Sequence, residues 1–153
     1  MHRFLLINFS MKNRNLENVD DWATPDYFYN ELNKEFDFNF DPCPLFSKFN
    51  GLTVEWKERN FINPPYSQKL KVAFIEKAVE ESKKGKLCVC LIPVSTSTKL
   101  FHEVIKPNAN EIRFIKGRIK FVGVNTFGVK VSEKCGMHDS MVVVFDGISQ
   151  TCA

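Results

Sequence analysis

The sequence predicts an α/β layer fold with a mostly parallel sheet. Two observations carry that reading. Short apolar runs that suit strands alternate with segments whose apolar residues recur at helical spacing. One run, Leu87 to Pro93, is apolar almost without interruption, as a central strand covered on both faces must be. A chain of 153 residues fits one domain with a substantial core.

The elements follow in order. Residues 11–21 are polar and read as a disordered segment that Trp22-Ala23-Thr24-Pro25 ends. Thr24 suits a helix N-cap and Pro25 a first helical residue. Phe28, Leu32 and Phe36 then place one apolar stripe on a helix over about 25–35. Phe38 to Asp41 alternates and reads as a short strand stopped by Pro42. Leu52 to Trp56 alternates in the same way and reads as a second strand, and Asn60 to Ile62 as a third. Ser67 is placed to cap a helix over 68–84. Leu70, Phe74, Ile75, Ala78 and Val79 form its buried face, Lys83 and Lys84 suit its C-terminal dipole, and Gly85 ends it. After the central strand, Ser95 to Thr98 is a polar loop. A helix over 99–106 stops at Pro107, and Glu111 to Ile115 is a strand. Gly117 to Asp139 reads as a basic, irregular segment, and Met141 to Phe145 as the last strand.

Composition narrows the function classes. A net charge of +3 permits nucleic-acid binding without arguing for it. The 5 cysteines suggest neither a disulfide framework nor a metal site. Cys88 and Cys90 share one face of an apolar strand and read as small core residues. Cys135 and His138 lack the second half of a zinc site. An odd cysteine count fits a reducing cytosol, and a cytoplasmic location is expected. No stretch is long enough to span a membrane. Phe4 to Phe9 is too short for a signal sequence, and Met11 reads as a more natural start. The expected organisation is a loosely ordered extension over 1–19 and one domain over 20–148.

The chemistry concentrates at Asn63-Pro64-Pro65-Tyr66, directly after a strand. An amide oxygen and a backbone carbonyl side by side can accept both hydrogens of an exocyclic amino group on a planar ring. That draws the nitrogen toward tetrahedral geometry and aims its lone pair at an incoming methyl group. Asn63 supplies the amide oxygen, and Pro64 a carbonyl on a backbone that two prolines stiffen. Tyr66 supplies a face on which a base stacks. By itself the tetrapeptide is as often a rigid turn. Asp41-Pro42 and the loop from Pro93 to Thr98 also follow strands, so in a parallel sheet all three lie on the carboxyl rim where such folds bind ligands.

Trp22-Ala23-Thr24-Pro25, Phe40-Asp41-Pro42-Cys43-Pro44, Gly51-Leu52, Glu55-Trp56, Asn63-Pro64-Pro65-Tyr66-Ser67, Leu91-Ile92-Pro93 and Gly117-Arg118-Ile119-Lys120-Phe121 occur in that order. This set resembles the phage-encoded DNA N6-adenine methyltransferases, the phage Dam-like family, over about residues 20–146. The resemblance implies a pared-down, single-domain, Rossmann-like class I methyltransferase fold. It also implies S-adenosylmethionine as methyl donor and adenine in DNA as acceptor. Asn63, Pro64, Pro65 and Tyr66 would be catalytic. Trp22, Thr24, Pro25, Asp41, Pro42 and Cys43, with Asn63 and Pro64, would face the cofactor. Asp41 is a fixed anion suited to an ammonium group, although a turn or cap role is also open to it. Trp22 reads equally as core; Glu55 is a candidate acceptor for ribose hydroxyls but reads better as an exposed strand carboxylate. The chain departs from the family in three ways: no Gly-rich turn follows the first strand, only 22 positions separate Asp41 from Asn63, and a large separate target-recognition domain is missing.

Residues 113–134 hold Arg113, Lys116, Arg118, Lys120, Lys130 and Lys134 against Glu133 alone. Lys116, Arg118, Lys120 and Lys130, with Tyr66, are the expected DNA contacts; for any one of the basic residues a solvated surface side chain is the favoured reading, and Arg118, in the family-like stretch before Phe121, is the one singled out. The loop from Gly123 to His138 is placed to enter a groove. No metal is implied, and the oligomeric state is left open. The alternatives are a methyltransferase acting on RNA or a protein amide, and a degenerate non-catalytic module that binds nucleic acid or the cofactor.

Overall fold

The computed structural model describes residues 19–45, 47–65, 67–125, 130–135 and 138–151. Residues 1–18 of the expected extension, and Tyr66, lie outside them.

The described chain begins with a strand, β1 (Val19–Ala23), and a helix, α1 (Asp26–Phe36). The last residues of the segment read as disordered, 19–21, are therefore extended and paired. Pro25 occupies the N-cap position of α1, and its carbonyl accepts from the Phe28 and Tyr29 amides at 3.1 Å. Thr24 does not cap this helix. α1 ends at Asp37, which is left-handed at φ 52°.

The strand expected over 38–41 is reduced to one parallel bridge, Phe40 to Asn60. Pro42 follows at once and has no N–H to extend the ladder. The strand expected over 52–56 is absent, and turns replace it. Asn50 captures the local backbone, its side chain accepting from the Leu52 amide and its carbonyl from the Thr53 amide, both at 3.0 Å. The apolar alternation there has a different cause. Trp56 is buried and donates from Nε1 to the Gly51 carbonyl at 2.7 Å, closing the turn on itself.

β2 (Arg59–Ile62), α2 (Gln68–Lys83) and β3 (Leu87–Pro93) form a parallel strand–helix–strand unit. Ser67 holds the N-cap position of α2 through its carbonyl, which accepts from the Lys71 amide, and not through its side chain. Gly85 ends the helix as expected, at φ 92°. Leu100–Ile105 forms a π-helical turn that runs into one α-helical turn, α3 (Lys106–Asn108). Pro107 therefore does not stop this helix. It lies inside the last turn, just after the wider π spacing, where its missing donor is tolerated.

β4 (Glu111–Phe114), β5 (Lys120–Asn125), β6 (Lys130–Cys135) and β7 (Ser140–Asp146) complete the strands, and α4 (Gly147–Thr151) closes the described chain. Asp146 caps α4, accepting the Ile148 and Ser149 amides at 3.0 Å.

The main sheet has the order β2-β3-β7-β4. It is mixed and not mostly parallel: β2 and β3 run together, but β7 inserts antiparallel between β3 and β4. The segment expected to be irregular supplies two of the three strands, β5 and β6, of a second, antiparallel sheet of order β1-β5-β6.

Side chains alternate across β3 and β7 into two cores. One face carries Cys88, Cys90, Ile92, Met141, Val143 and Phe145 against α2 and the π-helical turn. The other carries Leu87, Val89, Leu91, Val142 and Val144 against α1 and Phe121 of β5. Cys88 and Cys90 share a face as the spacing predicted, and burial pushes the Cys88 thiol up to about 12. No helix among the described residues is long and apolar enough to cross a membrane. No cluster of metal-ligating side chains occurs among them either.

Candidate active site

The parallel pairings put three strand ends on one rim. Phe40 bridges Asn60 and β2 pairs β3, so Asp41, Asn63 and Val94 leave the sheet on the same side. Pro42 and Cys43 share a crevice with Pro65, Gly51 and Phe74, and the Cys43 thiol reaches the Asn63 carbonyl, so the Asp-Pro loop touches the segment after β2. Gly51 lets its own turn press against Pro42, because a Cβ there would run into the Pro42 carbonyl.

Asn63 is where the strand-end segments converge. Its Nδ2 donates to the Trp22 carbonyl at 3.1 Å and to Thr24 Oγ1 at 3.0 Å. Its own carbonyl accepts from Cys43 Sγ at 3.1 Å. The Cys43 amide donates in turn to Asp41 Oδ1 at 2.9 Å, an Asx turn that fixes the carboxylate at the strand end. Both N–H groups of the Asn63 amide are therefore engaged, and no donor among the described residues reaches its Oδ1. Pro64 and Pro65 are buried, which holds this backbone rigid.

Asp41 acts electrostatically on Tyr29. Burial first and the Asp41 charge second raise the Tyr29 hydroxyl above its ordinary value. Tyr29 stands on α1 and packs edge-on against Phe61 of β2, their centroids 5.1 Å apart. Trp22 is half-buried, whereas Pro25, Pro42 and Cys43 are buried. Any ligand on this rim meets the last three through their backbone more than through their side chains.

Helix α1 and the rim are thus joined through β1, whose end delivers Trp22 and Thr24 to Asn63. Sequence reading missed these contacts. They span 41 and 39 positions, and no local pattern marks them.

The residues expected to touch DNA fare unevenly. Lys116, Arg118 and Lys120 are exposed. Arg118 stands 3.7 Å from Asp139, with both side chains more than half exposed. The side chains of Lys130 and Lys134 lie outside the description. Arg113 is engaged elsewhere, bonding Glu35 of α1 and Glu111 of its own strand and covering the Phe36 ring at 5.2 Å. Glu55 is 83 % exposed and faces Lys86 at 3.5 Å.

The family model for DNA N-6-adenine-methyltransferase (Dam) matches residues 12–152. The chain belongs to this family. It is also similar to the DNA N-6-adenine-methyltransferase of Haemophilus phage HP1 (strain HP1c1), with 33 % identity over 122 residues that cover 70 % of this chain and 69 % of the relative. No solved structure matches. In this Dam-family chain Asn63, directly after β2, bonds the end of β1 and the Asp41-Pro42-Cys43 loop.

Proposed function

We propose that this Dam-family chain transfers the methyl group of S-adenosylmethionine to N6 of adenine in DNA, within a pared-down Rossmann-like fold. The orientation of the Asn63 amide carries the reading. With its nitrogen held by Trp22 and Thr24, Asn63 keeps its side-chain oxygen for a substrate donor, and Pro64, next in the chain, supplies a second acceptor. Those two acceptors take the two hydrogens of the adenine amino group and free the N6 lone pair from the ring. Tyr66, the residue after Pro65, supplies the stacking face for a flipped base, worth roughly 1–3 kcal/mol.

The rim suits the donor. Asp41, held at a strand end and sensed by Tyr29, is an anion for the donor's ammonium group. Trp22 offers a half-buried aromatic surface. When bound, S-adenosylmethionine supplies a methyl group made electrophilic by its sulfonium. The protein's own work is to orient the amine, support the charge that develops on N6 and keep water out of the line of attack.

The parallel unit from Phe40 through β2 and α2 to β3 supports the Rossmann-like assignment, since open α/β sheets bind ligands at the carboxyl ends of such strands. We assign residues 20–148 to this domain and 1–19 to an extension whose last residue, Val19, opens β1. Lys116, Arg118, Lys120 and Lys130 contact the DNA backbone, and the enzyme works in the cytoplasm, where DNA and donor meet.

The test is transfer of labelled methyl to unmethylated DNA, followed by digestion to nucleosides. Label in N6-methyladenosine is expected. Label confined to RNA or protein would overturn the acceptor, and an unlabelled mixture would overturn the activity.

A further inference from the structure

We propose that Thr24 is a positioning residue for Asn63, acting through the catalytic amide and not as a cofactor contact. The proposal rests on the methyl-transfer reading above. A primary amide carries two donors on nitrogen and an acceptor on oxygen, and turning it over exchanges them. The Trp22 carbonyl only accepts, so the amide nitrogen must face it. Thr24 Oγ1 takes the second N–H at 3.0 Å. A flipped amide would set Oδ1 against the Trp22 carbonyl, two acceptors in contact, and would turn donors toward the adenine amino group.

The backbone of the same residue is held from the other side. Cys43, 5 % exposed, donates its thiol hydrogen to the Asn63 carbonyl, and its amide is tied to Asp41. Asn63 is therefore gripped by segments 39 and 20 positions away, with only the acceptor oxygen left to act. Thr24 lies between β1 and α1 but does not cap the helix, so its hydroxyl serves Asn63.

Thr24→Val removes the acceptor and keeps the shape, and Thr24→Ser restores it. In T24V the kcat for methyl transfer is expected to fall about tenfold to a hundredfold, as small misplacements of reacting groups do. The KM and the calorimetric Kd for S-adenosylmethionine stay within about twofold, and T24S recovers most of the rate. A second readout needs no turnover. The Asn63 side-chain NH2 pair, identified in 15N spectra by its loss in Asn63→Asp, is expected to exchange slowly in the wild type. One of its protons loses that protection in T24V. Where valine is not accommodated, Thr24→Ala removes the same acceptor and is read the same way.

A raised KM and Kd for the donor with kcat intact would make Thr24 a cofactor contact and overturn the proposal. So would unchanged kinetics with an unchanged NH2 pair. A wild type that transfers no methyl to DNA sinks the functional reading alone, and the NH2 spectra still decide the clamp.

Discussion

Asn63 carries the first prediction. Asn63→Ala deletes the acceptor and both bonds to the β1–α1 junction. Its kcat is expected to fall by about a hundredfold or more, the cost of removing one preorganised polar contact from a charge-developing centre. Steady-state methylation with calorimetric donor binding checks this, and donor affinity should hold within a few-fold. Wild-type turnover by the variant would refute the mechanism. At this scale the tetrapeptide was legible because its chemistry is contained in four consecutive residues. The bond from Asn63 to Thr24 was not. Its local context, before Pro25 and a helical stripe, reads as a cap, and its partner is remote in sequence.

The link from α2 to β3 rests on a buried acid. Glu81 is 2 % exposed at its side chain and bonds Lys86 at 2.6 Å and Lys84 at 3.3 Å, while Lys86 also donates to the Trp56 carbonyl. Burial pushes the Glu81 carboxyl up, but the two lysines outweigh it and hold the group below its ordinary 4.5. A carboxylate with a depressed folded pKa contributes stability that is full above the unfolded value and fades as pH falls through the folded one. Lys86 is shifted upward, so its contribution is full below 10.5 and is lost as pH rises through the higher folded value.

Glu81→Gln is therefore expected to cost about 3 kcal/mol near neutral pH. It should also flatten the loss of stability below about pH 4.3. Urea titration across pH reads both, and an unchanged midpoint at neutral pH would contradict the assignment. Gly51→Ala tests the neighbouring turn. Forcing a methyl toward the Pro42 carbonyl is expected to cost about 1–3 kcal/mol and to weaken donor binding through Asp41, measured by thermal melting and calorimetry. Among the elements, α1, α2 and β3 were legible from periodicity. The β5–β6 hairpin was not, because a register shift at Gly123/Val124 and interspersed lysines blur its alternation. The strand expected over 52–56 failed because Asn50 turn chemistry overrides a pattern that buries Trp56 in another way.

The whole molecule is only mildly basic, so its DNA contact must come from where charge is placed. Neutralising Lys116 and Lys120 to Gln should leave donor affinity intact. It should lower the slope of log affinity against log salt by about 0.9 for each phosphate that no longer meets a lysine. Fluorescence anisotropy at several salt concentrations measures it, and an unchanged slope would move the DNA elsewhere. Side-chain pattern alone was enough for the layered α/β class, the doubly covered strand β3, both main helices and the position of Asn63-Pro64-Pro65 at a strand end. Each follows from periodicity or turn chemistry within a few residues. Three features emerge only in the folded chain: β7 inserts antiparallel beside β3, β1 joins the β5–β6 hairpin, and Thr24, Cys43 and Asp41 gather around Asn63. Strand partners and hydrogen bonds across 20 to 41 positions depend on which segments the packed core brings side by side, and no local pattern encodes that choice.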